Sequence, residues 1–94
     1  MTIAITEQDR VRLAPGVVLR HDRTRDQWTL LGPERVLVLD EVALDVVRTC
    51  TAEDATVGTG IDCLAAQFSA PRNEIAGDVL ELLRTMRERG FIAS

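Results

Sequence analysis

Lysine and tyrosine are both missing from this 94-residue chain, and histidine occurs once. The lack of lysine removes Schiff-base chemistry, a phosphate-cradling P-loop lysine and any lysine general base. Two cysteines and one histidine cannot close a four-ligand zinc site without outside help. Cys50 and Cys63 fall on apolar faces of predicted helices, so both are expected to be buried free thiols. The same inventory holds no nucleophile paired with a base, which leaves no catalytic residues, metal ligands or cofactor to assign and disfavours an enzyme. A run of about 18 apolar residues, the minimum for a membrane span, is also missing. The opening Met1 to Arg10 lacks the basic start and apolar stretch of a signal peptide. The expected location is the cytoplasm, with no membrane partner.

Positive charge is scarce as well. Eleven arginines face fifteen acids, for a net charge of -4, which opposes general affinity for a phosphate backbone. The imbalance is uneven: residues 1–35 carry six arginines and five acids, residues 36–94 five arginines and ten acids. A chain of this length forms one domain and buries roughly 60 to 65% of the surface its unfolded form exposes. That gives a genuine core but no large substrate cavity.

What the chain does have is an apolar strand signal. Gly32-Pro33-Glu34 makes a turn, Arg35-Val36-Leu37-Val38-Leu39 follows, and Asp40 ends the run. A strand buried on one face alternates apolar with polar. Here Val36 and Val38 point one way and Leu37 and Leu39 the other, so both faces call for apolar cover from the chain's own helices or from a partner. Upstream, Val17 to His21 alternates as a half-buried strand, Asp22 to Asp26 is a turn, and Gln27 to Leu31 is a second strand. Short loops imply hairpins and a three-stranded antiparallel meander. Met1 to Arg12 is polar and unpatterned and is expected to be a flexible tail, with the domain proper spanning residues 13–94.

From Asp40 onward the period changes from two to 3.6. Asp40 can cap a first helix whose Val42, Ala43, Leu44, Val46, Val47 and Cys50 form a broad apolar arc. Glu53-Asp54-Ala55-Thr56 breaks it. A second helix follows, with Val57, Ile61, Leu64 and Phe68 at helical spacing and Thr56 as cap, although Gly58 and Gly60 cast doubt on its first turn. Pro71 opens a third helix that ends at Arg89 with Gly90 as cap, and Phe91 and Ile92 fold back as an anchor. In this third helix Ile75, Val79, Leu82, Leu83 and Met86 make the main stripe, extended by Ala76 and Leu80. The arc is wider than one packing interface needs: either the helix is wedged between sheet and second helix, or its edge near Leu80 and Leu83 faces a bound partner. The fold class is α+β, a winged helix-turn-helix-like arrangement of a three-stranded antiparallel sheet followed by a three-helix bundle.

Other residues have plain structural roles available. Trp28 suits sheet packing better than ligand contact, and His21 reads as a solvated side chain. Pro33-Glu34-Arg35 is either a turn with a local ion pair or a docking element. A winged-helix DNA-binding regulator is the rival reading, but its third helix would set Arg72, Arg84, Arg87 and Arg89 against Glu74, Asp78, Glu81 and Glu88, with no basic excess.

Three segments carry a resemblance: Arg12-Leu13-Ala14-Pro15-Gly16-Val17-Val18-Leu19-Arg20, Trp28 through Asp40 with its Pro-Glu-Arg-x-x-x-Leu-Asp block, and Ala70-Pro71-Arg72-Asn73-Glu74-Ile75. Together they closely resemble the PqqD family, the peptide chaperones of pyrroloquinoline quinone (PQQ) biosynthesis, over about residues 10–92. The resemblance implies a non-catalytic protein that binds the ribosomal precursor peptide PqqA and presents it to the radical S-adenosylmethionine enzyme PqqE. It also implies the leader-peptide recognition fold, in which the peptide adds as a strand beside the third helix. Carried over by position, the peptide site comprises Arg35, Val36, Leu37, Val38, Leu39 and Asp40 on the sheet edge and Ile75, Val79, Leu80, Leu83 and Met86 on the helix. The segment Thr56 to Gly60 departs from the family pattern. An edge strand this apolar is compatible with a monomer or with a homodimer that shares or swaps the edge.

Overall fold

The computed structural model describes residues 4–52 and 55–94. Strand β1 (Arg12–Leu13) is followed by β2 (Val18–Asp22), β3 (Gln27–Gly32) and β4 (Arg35–Leu39), then by α1 (Glu41–Cys50), α2 (Val57–Phe68), α3 (Arg72–Glu88) and a final strand β5 (Ile92–Ala93). The expected α+β architecture is present: β2, β3 and β4 form an antiparallel sheet in that order, and three helices follow. In the β3–β4 hairpin Gly32 pairs with Arg35, leaving Pro33-Glu34 as a two-residue loop in which Glu34 has φ of 59°. Proline ahead of a positive φ is the pattern of a type II turn.

One face of the sheet is packed. Leu30 and Leu39 are buried there among Val46, Val47, Leu64, Leu83 and Phe91 in a single core. Asp40 caps α1 as expected, its Oδ1 accepting from the Ala43 N–H at 2.7 Å. The break expected at Glu53-Asp54 lies outside the described residues. Of segment 56–60, Thr56 is the N-cap, its Oγ1 accepting from the Thr59 N–H at 3.2 Å, and residues 57–60 are helical, since α2 starts at Val57. Gly60 is a close-approach position, since a Cβ there would lie 2.8 Å from Cys50 Sγ on α1.

The expected flexible tail is a correction. Residues 1–3 lie outside the described residues, but 4–12 are packed. Ile5 is fully buried and Val11 nearly so. The carbonyls of Asp9 and Glu7 accept from the Val57 and Gly58 N–H groups, each at 2.8 Å, so this segment satisfies two donors that the start of a helix otherwise leaves unpaired. Arg84 donates to the Ile5 carbonyl at 2.9 and 3.2 Å. Arg72 bridges Glu7 and Asp62, each at 2.5 Å. Beyond it, β1 pairs with β5, and Phe91 and Ile92 are buried as the expected anchor. A polar sequence hides this role because the partners are backbone carbonyls, which leave no side-chain pattern. The cysteines need correction too: Cys50 is buried but Cys63 is exposed.

Two glycines on neighbouring helices should respond oppositely to alanine. At Gly77 nothing lies within 4 Å of an added Cβ, so Gly77→Ala should raise stability by about 1 kcal/mol through helix propensity. Gly60→Ala should lower it by roughly 1 to 3 kcal/mol through overpacking against Cys50, and Cys50→Ala should restore part of that loss. Urea unfolding of the variants and the double variant measures all three.

The Glu7 strap should titrate. The hydrogen bond from Arg72, and secondarily its charge, hold the Glu7 carboxyl below its ordinary 4.5 despite partial desolvation and the charge of Asp62. A depressed folded value means that the stabilisation is complete above the ordinary value and is lost as pH falls through the folded one. Glu7→Gln should therefore be less stable than wild type at pH 7, with the difference shrinking below pH 4.5; thermal melts across pH 3 to 7 check it.

Candidate functional site: an open sheet edge and an apolar groove

β4 is hydrogen-bonded to β3 alone, so its far edge is open among the described residues. It is held at both ends. Arg35 donates from its guanidinium to the Arg89 carbonyl at the end of α3, where a cation suits the negative end of the helix dipole. Asp40 caps α1 at the other end. Along the strand, Leu39 is buried and Leu37 half-buried, while Val36 and Val38 are 59% and 54% exposed. The expected cover on both faces exists on one face only.

Beyond Asp40, α1 opens an apolar groove of about 420 Å³ between the helices, lined by Val42, Val46, Leu64, Phe68, Ile75, Asp78, Val79 and Leu82. Val42 and Phe68 are exposed at its rim. Asp78 is the one charged residue lining it. Of the helix residues expected in the peptide site, Ile75 and Val79 line this groove. Leu80 is half-buried against the core, and Leu83 and Met86 are fully enclosed. They belong to the packed face of α3, because α3 is wedged against the rest of the core as the plainer reading of its wide arc allowed. Leu82, Val42 and Phe68 line the groove outside the expected set. The signal available was Phe68, a large aromatic closing the α2 stripe just before a stop, where a helix end has little left to cover it.

The remaining singled-out residues form a separate cluster. Trp28 is half-buried, stacked on His21 with ring centroids 4.8 Å apart, and Arg48 of α1 sits 4.4 Å from its ring centre. Trp28 thus packs sheet against helix. His21 is held by this stack and by Asp26 at 3.0 Å rather than simply solvated. Arg35 pairs with a carbonyl and not with Glu34. An open strand edge can take an extended peptide by main-chain pairing, and a lined apolar groove can take apolar side chains.

A family model described as Coenzyme PQQ synthesis protein D (PqqD) matches residues 27–92. The chain belongs to the PqqD family. Among its PqqD relatives, the PqqA binding protein of Bradyrhizobium diazoefficiens is 40% identical, covering 96% of this chain and 86% of that one. The PqqA binding protein of Xanthomonas oryzae pv. oryzae is 43% identical, with 95% and 96% covered. The solution NMR structure of the PqqD truncation of Methylobacterium extorquens PqqCD, described as a functional, stand-alone RiPP recognition element, superposes with a TM-score of 0.77 at 29% identity. It covers 97% of this chain and 96% of that one. The crystal structure of PqqD from Xanthomonas campestris gives 0.55 at 41% identity, with 92% and 94% covered. These matches span the strands and helices that build the edge and the groove.

Neither thiol of this chain lines the groove, and the two differ in burial. Burial, and then the neighbouring Cys63, push the Cys50 thiol up to about 11. Because the thiolate is the reactive form, a disulfide reagent at pH 8 should modify Cys63 rapidly in the native protein and Cys50 only after unfolding; mass spectrometry over time counts the labels.

Proposed function

We propose that this chain is a non-catalytic cytoplasmic chaperone that binds PqqA and presents it to PqqE in pyrroloquinoline quinone biosynthesis. The observation that carries this reading is the open edge of β4 in a domain that also holds an apolar groove between α1, α2 and α3. In it, the peptide adds as a strand to Arg35, Val36, Leu37, Val38, Leu39 and Asp40. Its apolar side chains enter beside Ile75, Val79 and Leu82, with Leu80, Leu83 and Met86 supporting the helix from behind. The relatives' common name, PqqA binding protein, supports the same substrate. No described helix is long and apolar enough to cross a membrane, which is compatible with a cytoplasmic place.

A helix-turn-helix likeness of α2 and α3 does not favour the DNA-binding alternative. Arg72 is committed to Glu7 and Asp62, and Arg84 to the Ile5 carbonyl. Two of the three arginines within α3 are therefore spent inside the molecule, and a recognition helix needs them free for phosphates and bases.

Strand addition and groove filling have separate tests. Leu37→Pro should abolish PqqA binding, since proline removes a backbone N–H and bends the strand. Leu82→Asp puts a carboxylate into the apolar groove at a half-buried position, and should weaken binding about tenfold or more while a thermal melt shows a folded domain. Leu80→Asp, off the groove lining, should weaken it far less. Calorimetric titration with PqqA reads affinity, and amide shifts should move in Arg35 to Asp40 and in Ile75 to Leu82. Tight binding by a folded Leu82→Asp variant would place the peptide elsewhere.

A further inference from the structure

Among the described residues the exposed large hydrophobic side chains fall in two places. Val42 and Phe68 rim the helical groove, whereas Val18, Val36 and Val38 stand on the outer face of the sheet, which no helix covers. The register aligns that face: Val18 is opposite Leu31, which is opposite Val36, and Arg20 is opposite Thr29, which is opposite Val38. The result is an apolar band across all three strands, floored by Leu31 and continuous with a shallow pocket of about 560 Å³ that reaches the β2–β3 turn.

Arginine edges this band. Arg20, Arg23 and Arg25 all line the pocket and are exposed. Two carboxylates share this turn, Asp22, whose Oδ1 accepts from the Thr24 and Arg25 N–H groups at 3.0 and 3.3 Å, and Asp26, which holds His21, so three arginines against two acids leave a local excess of one positive charge. No ion pair or side-chain hydrogen bond engages the three guanidiniums among the described residues. The face therefore joins an apolar centre to a rim of available cations, although the chain as a whole carries -4. Its complement is apolar side chains flanked by carboxylates.

We propose that this outer face docks a second protein, one whose patch pairs apolar residues with Asp and Glu, and that in the PqqA-loaded state this protein is the modifying enzyme. The assignment of the enzyme rests on the functional reading above. Strand addition to the free side of β4 leaves the face open and widens it, because alternate side chains of the added peptide project outward beside Val36 and Val38. The enzyme then meets a surface built jointly by chaperone and peptide, and binds the loaded chaperone more tightly than the empty one. Three strands about 4.8 Å apart and five residues of about 3.3 Å each give an area on the order of a few hundred Å². That matches a transient hand-over rather than a permanent complex.

Val18 and Arg20 on β2, and Arg23 in the turn after it, lie away from the β4 edge, with β3 between β2 and β4, so they can be changed without touching the peptide site. Val18→Glu and the double variant Arg20→Glu, Arg23→Glu are each checked by thermal melt, titrated with PqqA, and then titrated as the loaded complex with PqqE. PqqA affinity should stay within about twofold of wild type and PqqE affinity should fall about tenfold or more, with the wild-type PqqE affinity weakening as salt rises. Unchanged PqqE affinity in both variants overturns the proposal. So does a folded variant that loses PqqA as much as PqqE, which would place the peptide on this face. A wild-type mass that doubles with concentration and is returned to the monomer by Val18→Glu assigns the face to a second copy and also overturns it. If wild type binds no PqqA, the functional reading itself fails; that is read before any variant is made, and the assignment of the enzyme falls with it.

Discussion

A sheet of three strands has two faces and two edges, and 94 residues supply only enough helix to cover one face. Everything functional here follows from that shortage. The inner residues Leu30, Leu37 and Leu39 draw the helical layer onto one side. The outer valines are left facing water, and β4 keeps an open edge. Covering either would bury more apolar surface and add stability, so the exposure reads as the condition for binding a partner in extended form.

The edge alone would be an aggregation hazard, and the way its ends are fixed limits that. Arg35 ties the start of β4 to the last turn of α3, and Asp40 turns its end directly into α1. The strand is short and held at both ends, and the groove between the helices that follow it has one acidic residue in its lining. Under the proposed function an incoming strand satisfies both the main-chain edge and the groove. Such a requirement converts a generic sticky edge into a selective one.

Much of this was legible in the residues. The turn at Gly32-Pro33-Glu34, the apolar β4, the cap at Asp40, the cap at Thr56 and the anchor at Phe91-Ile92 depend on local chemistry, and local chemistry is written in consecutive residues. The edge half of the candidate site was legible for the same reason. The helix half was only partly so: α3 presents apolar residues around much of its circumference, and periodicity cannot say which part meets the core and which part lines a groove. Leu83 and Met86 turned inward and Leu82 outward into the cleft. Cys63, on a nominally apolar face of α2, came out exposed for the same reason.

The sequence by itself determined the order and type of β2 to β4 and of the three helices, the lack of lysine, and the membership motif around Pro33-Glu34-Arg35, because these depend on residue identity and short-range spacing. Tertiary structure alone decided that residues 4–12 cap α2 and pin α3, and that Gly60 is a contact point with Cys50. It alone decided, too, that the valine face stays open beside three arginines that are unpaired among the described residues. Each of these depends on groups far apart in the chain, and several on backbone carbonyls or the lack of a Cβ. Such features acquire meaning only when packing brings their partners within a few ångströms.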